Sequence, residues 1–119
     1  MIKLTGFIKR RQGMSKEDFR HHYESIHRVI GEKYLKGHAT RYLRRYLSAA
    51  ADPLTGQAVQ AEYDVLLEIW YPNRQAMEAA TARMSEPGPA KEIQDDIVKF
   101  FDLPSVRYYF LDDCESQLD

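Results

Sequence analysis

The sequence predicts an α+β domain of the ferredoxin-like βαββαβ type: a four-stranded antiparallel sheet with its helices on one face, paired with a second copy as a dimeric α+β barrel. Three observations predict it. Four short segments carry strand patterning, the stretches between them carry apolar residues at helical spacing, and the chain is unusually aromatic, with eight Tyr, five Phe and one Trp in 119 residues. That length falls within the span of one domain, so residues 1–119 are read as a single unit with room for a core.

Residues 2–9 place Ile2, Leu4, Gly6 and Ile8 on one parity and Lys3, Thr5, Phe7 and Lys9 on the other, the alternation of a half-buried strand. Gly13 marks a turn, and Ser15, with Asp18 three residues on, reads as the cap of a first helix. Phe19, Tyr23, Ile26 and Ile30 recur at three- and four-residue steps along it, with Leu35 five residues further on. Gly31 stands as a potential interruption and Gly37 as the exit. Residues 40–47 return to alternation, with Tyr42, Arg44 and Tyr46 on one side. Residues 48–62 form a long connection, and YDVLLEIWY (63–71), apolar on both parities, reads as a central strand. Asn73 caps a second helix that runs to Met84. Residues 87–89 are expected to break it, residues 90–101 to resume it, and SVRYYFL to form the last strand.

Both helices then lie on one face, which leaves the other bare. A bare face would expose Phe7, several Tyr and Trp70, a patch that asks for cover. A two-fold dimer with facing sheets supplies it and leaves an apolar cavity between sheet and helices; a monomer with an aromatic surface is the alternative.

Bulk properties narrow the function. Seventeen Lys and Arg against eighteen Asp and Glu give a net charge of −1, so no global field attracts nucleic acid or an acidic membrane. One cysteine, Cys114, makes neither an intrachain disulfide nor a cysteine metal site and suits a reducing compartment. The first ten residues lack a signal-peptide pattern, and no apolar run approaches the roughly 20 residues that span a bilayer. A cytoplasmic protein with no nucleic-acid or membrane partner is expected. Nothing resembles a phosphate loop, a dinucleotide fingerprint, a serine elbow or a carboxylate-rich metal site, so no cofactor or metal is expected.

Among residues able to carry chemistry, His27 leads because it shares the helical stripe of Phe19, Tyr23 and Ile30 and therefore points toward the sheet. Imidazole titrates near neutral pH, so it can take up a proton and return it within one turnover. A core histidine bonded to a carbonyl is the plainer reading. His38, just before the second strand, either reaches the cavity mouth or faces solvent. His21 and His22 stand at spacings from His27 that do not suit zinc. Asp96, if buried, would orient His27; otherwise it is an ordinary helix carboxylate. Tyr42 and Tyr46 share a strand face and offer hydroxyls to a substrate oxygen, or pack in the dimer seam. Phe7 and Trp70 are expected in the apolar wall. Arg41, Arg44 and Arg45 read as surface ion-pair partners.

The stretches MSKEDFRHHYESIH, GHATRY and DDIVKFFD, the last followed by a terminal strand, resemble the EthD-domain family over nearly the whole chain. Phe19, Tyr23 and His27 match the family's first helix, although Arg28 and Val29 follow where the family usually has a Pro two residues after the His. Asp96, Phe100 and Asp102 match its Asp-x-x-x-Phe-x-Asp signature. The resemblance implies a dimeric α+β barrel and, for some members, a cofactor-free dehydratase reaction in polyketide pathways; related small barrels act as isomerases or cyclases of lactones and polyketides. Other members are companions of degradative oxygenases without assigned chemistry. The expected function is thus a cofactor-independent lyase or isomerase acting through His27, His38 and Asp96. Phe7, Tyr23, Tyr42, Tyr46, Trp70 and Phe100 would hold a small aromatic or polyketide-like ligand. An accessory binding protein and a cofactor-free monooxygenase are the alternatives.

Overall fold

The computed structural model describes residues 1–119. Its strands are β1 (Ile2–Ile8), β2 (Arg41–Tyr46), β3 (Val65–Tyr71) and β4 (Arg107–Phe110). They form one antiparallel sheet in the order β2-β3-β1-β4. The central pair, β1 and β3, are the strands whose patterning was strongest. Register sets the faces. Ile2 pairs with Tyr71, Leu4 with Ile69, Gly6 with Leu67 and Ile8 with Val65, so this parity of both strands turns toward the helices and builds the core.

The first helical segment begins as α1 (Lys16–His22), where the Ser15 hydroxyl accepts from the Asp18 N–H, a cap of about 1 kcal/mol. It passes through a π-helical turn (Tyr23–His27) into α2 (Arg28–Leu35) and leaves at Gly37, whose φ of +86° suits glycine. Gly31 does not interrupt it. The chain continues α-helical straight after His27, through Arg28 and Val29.

The second helical pair is α3 (Arg74–Met84), capped by the Asn73 side chain accepting from the Ala76 N–H, and α4 (Pro87–Ile97). Two separate helices stand here as expected, but the break falls at residues 85–86 and residues 87–89 belong to the second helix. Pro87 and Pro89 sit in the first turn of α4, where a missing N–H costs nothing because those donors have no helical partner. The last strand is also shorter than predicted, because Leu103–Ser105 forms a 3₁₀ turn before β4.

All helices cover one sheet face. The opposite face carries Lys3, Thr5 and Phe7 of β1, Leu66, Glu68 and Trp70 of β3, Arg41, Leu43 and Arg45 of β2, and Tyr109 of β4. Phe7 meets Tyr63 and Tyr109 edge to face, and Trp70 lies between Lys3 and Arg41. Glu68 is buried there, accepting from Arg45 and from the Trp70 indole. Arg44, by contrast, points to the helices and clamps Glu24. No helix is long and apolar enough to cross a membrane.

Candidate active site

Tyr23 and His27 begin and end the π-helical turn, and both are buried. Their rings meet edge to face at 5.3 Å. Phe100 and Phe101, just past the end of α4, also close on the imidazole at 5.3 and 5.7 Å. The apolar spacing of the first helix therefore delivers His27 into the core rather than to water.

Its polar anchor comes from α4. Asp96, with a side chain only 5% exposed, accepts from His27 Nδ1 at 2.8 Å through Oδ2. The other carboxylate oxygen, Oδ1, accepts from His22 Nε2 at 2.9 Å. One carboxylate thus joins two imidazoles. Holding the proton on Nδ1 leaves Nε2 of His27 as the basic nitrogen. No buried side-chain nitrogen or oxygen lacks a partner, so Nε2, which bonds no protein group, keeps some accessible surface, and His27 is among the residues that line the cavity beside it.

That cavity, about 430 Å³, lies between the sheet and the helices. Fourteen of its seventeen lining residues are hydrophobic and none is Asp, Glu, Lys or Arg, so His27 is its one group that titrates near neutral pH. Four phenols line it: Tyr23, Tyr42, Tyr71 and Tyr108. Burial raises all four above the usual tyrosine range, Tyr42 to about 12, and Tyr23 is raised further by the Tyr42 phenol beside it. They are hydrogen-bond donors at neutral pH rather than phenolates. Burial also lowers His27 from its ordinary 6.5, against the opposing pull of Asp96. The imidazole is accordingly held neutral, ready to accept a proton.

Two glycines make this arrangement fit. A Cβ on Gly31 would stand 2.6 Å from the Tyr42 hydroxyl, and one on Gly6 would stand 2.8 Å from Cε1 of Tyr108. Both phenols lie over backbone left bare for them. Tyr108 is 55% exposed as a residue, yet its ring reaches inward over Gly6, which places it at the cavity mouth. His22 and His27 each bond Asp96, and no group of three or more His, Cys, Asp or Glu is placed to hold a metal ion.

The model of the EthD domain matches residues 11–104. The chain belongs to the EthD-domain family. Its fold is shared with an ethyl tert-butyl ether D (EthD) family protein of Bacillus halodurans C-125, at a TM-score of 0.64 and 13% identity over 96% of this chain and 100% of that one. An EthD-like protein of Ralstonia eutropha JMP134 matches at 0.60 and 14%, covering 92% and 86%. A DABB family protein with a ferredoxin-like fold from Mesorhizobium loti MAFF303099 matches at 0.54 and 14%, covering 96% and 97%. No protein of curated description matches.

In this EthD-domain chain, the residues singled out from sequence divide into three groups. His27, Tyr23 and Tyr42 line the cavity, and Asp96 stands directly behind the imidazole. Phe100 and Tyr46 flank the site without lining it. Phe100 is fully buried against His22 and His27, and Tyr46 donates to Glu24. His38, Phe7 and Trp70 do not converge on the cavity. His38 belongs to the turn after α2, where its N–H bonds Leu35, and register turns Phe7 and Trp70 to the helix-free face, so they are not the apolar wall. That wall is instead built by Leu67, Ile69, Met84, Ile93 and Ile97 with their neighbours. Sequence reasoning missed His22, Gly6, Gly31 and Tyr108. The parity of SVRYYFL and the small residue opposite it could have pointed to the Gly6–Tyr108 pair. Nothing in an α-helical reading pointed to His22.

Proposed function

We propose that this EthD-domain protein is a cofactor-independent lyase or isomerase that moves a proton on a small aromatic or polyketide-like carbonyl compound, working as a two-fold dimer. One observation carries the reading: an imidazole anchored through Nδ1 on a buried carboxylate presents its other nitrogen to a cavity with no formal charge. In such a place a neutral base is worth most, because proton transfer from a carbon next to a carbonyl creates charge that no water screens.

The sequence of events follows from the residues. Nε2 of His27 takes the proton from carbon, and the electron pair left behind moves onto the carbonyl oxygen. That oxygen accepts hydrogen bonds from the cavity phenols, among them Tyr23, whose ring meets the imidazole, and Tyr42 beside Tyr23. Asp96 stabilises the imidazolium. The proton then goes either to a departing hydroxyl, releasing water, or to a second carbon, completing an isomerisation. The base is restored in both cases. A neutral, largely flat substrate suits the lining, since a buried carboxylate or phosphate would find no cation there.

The test is turnover of a panel of such compounds, with and without air, by the unmodified protein and by His27→Ala. Loss of turnover in a folded variant supports the reading, and an unchanged rate removes His27 from the mechanism. A second reading has its own support, since a cavity so predominantly apolar also suits storage of a metabolite without chemistry. In that case ligand binding survives His27→Ala and no compound turns over. Turnover only in air would instead favour a cofactor-free oxygenase.

A further inference from the structure

His22 is the member of the His22–Asp96–His27 chain that the proposed proton transfer leaves unused. Its ring packs on Phe100 at 4.4 Å, and its side chain is 16% exposed against 10% for His27. The two histidines are five residues apart. In an α-helix that separation puts side chains about 140° apart around the axis, too far to share one small group. The π-helical turn at Tyr23–His27, whose wider winding joins residues five apart, brings them to one side.

The carboxylate gains from this. Asp96 is buried, and with His27 alone one of its oxygens would have no donor, which costs about 1–3 kcal/mol in such a site. With one N–H fixed on each oxygen, the carboxylate plane cannot turn. We infer that His22 is a positioning residue: the π-helical turn sets its Nε2–H on Oδ1 of Asp96, which holds Oδ2 on Nδ1 of His27 and leaves Nε2 of His27 facing the cavity. The catalytic consequence rests on the proton-transfer reading above; the geometry does not.

The arrangement requires the two rings to be opposite tautomers. His22 must carry its proton on Nε2 and His27 on Nδ1 when both are neutral. Long-range proton–nitrogen NMR on protein with labelled histidine, at a pH above the ordinary histidine range, reads this directly. The expected result is an Nε2–H His22 and an Nδ1–H His27; a His22 found as the Nδ1–H tautomer overturns the inference. His22→Gln, whose amide can still donate, is expected to keep a slowly exchanging Nδ1 proton on His27. His22→Met, similar in bulk but without a donor, should speed its exchange roughly tenfold or more. Unchanged exchange in His22→Met overturns the inference, and if that variant does not fold, the tautomers of the unmodified protein decide alone. None of these readouts needs a substrate, so a protein with no turnover and a protein with a mobile Asp96 are told apart. Where a substrate is found, His22→Met should lower kcat with little change in KM, and His22→Gln should restore most of it.

Discussion

Tyr42 lies so close over Gly31 that a methyl group there would come within 2.6 Å of its hydroxyl oxygen and 2.8 Å of its ring. Two opposing effects act on Gly31→Ala. Alanine in a helix interior favours the fold by about 1 kcal/mol, while overpacking costs about 1–3 kcal/mol. The clash is with the far end of a side chain, so Tyr42 yields before the helix does. A fall in stability of no more than about 2 kcal/mol, within those limits, is expected by thermal unfolding, together with a clear loss of affinity for an apolar fluorescent dye in the cavity. Retained dye affinity would mean that Tyr42 does not shape the cavity.

Asp96→Asn keeps the volume of the side chain and removes its charge. The carboxylate is what opposes burial at His27, so its loss should lower the imidazole further from 6.5. An NMR titration of His27 measures this. Turnover should fall about 10²- to 10⁴-fold, since both the tautomer and the stabilised imidazolium are lost. A titration midpoint that stays put or rises would show that Asp96 does not act on His27.

Acid should weaken the fold in two separate windows. His27 is lowered by burial, so the unfolded chain binds its proton more readily, and stability falls as pH drops below 6.5. Glu24 is lowered from 4.5 to about 2 by Arg44, with help from the Tyr46 hydroxyl, so its contribution is present above pH 4.5 and fades between 4.5 and 2. Denaturant unfolding at a series of pH values should show both. Glu24→Gln should shrink the lower one, to which Glu68 and Glu92, also held below 4.5, contribute the rest, and leave the upper one intact.

The helix-free face presents Phe7, Leu43, Leu66, Trp70 and Tyr109 around a buried Glu68. If a second copy covers it, light scattering should give twice 13.9 kDa. Leu43→Glu would place a second carboxylate opposite Glu68, its β3 partner, and should shift the protein to half that mass. A monomer at every concentration before mutation would remove the dimer from the account.

Strand and helix order was legible because periodicity reports which side of each element is apolar. Ser15 and Asn73 announced their helices, since a side-chain acceptor three residues before a free N–H is a local matter. His27 was legible for the same reason, lying on the stripe of Phe19 and Tyr23. What failed were judgements that need a second element. Phe7 and Trp70 are read both on the bare face, where the structure has them, and in the cavity wall, where it does not; for Trp70 the reason is that β3, apolar on both parities, gives no sign of which face it turns to the helices. Pairing with β1 decides that. His38 had no pattern to place it at all.

What the sequence by itself determined is the alternation of elements, their capped ends and the inward stripe that carries His27, because these depend on residues within a few positions of one another. Only the tertiary structure decided that Asp96, sixty-nine residues away, would meet that imidazole, and that His22 would join it from an unexpected side of the helix. The reason is geometric. A single π-helical turn rotates every later side chain relative to the earlier ones, and local α-helical periodicity cannot register a rotation held in place by a partner on another helix.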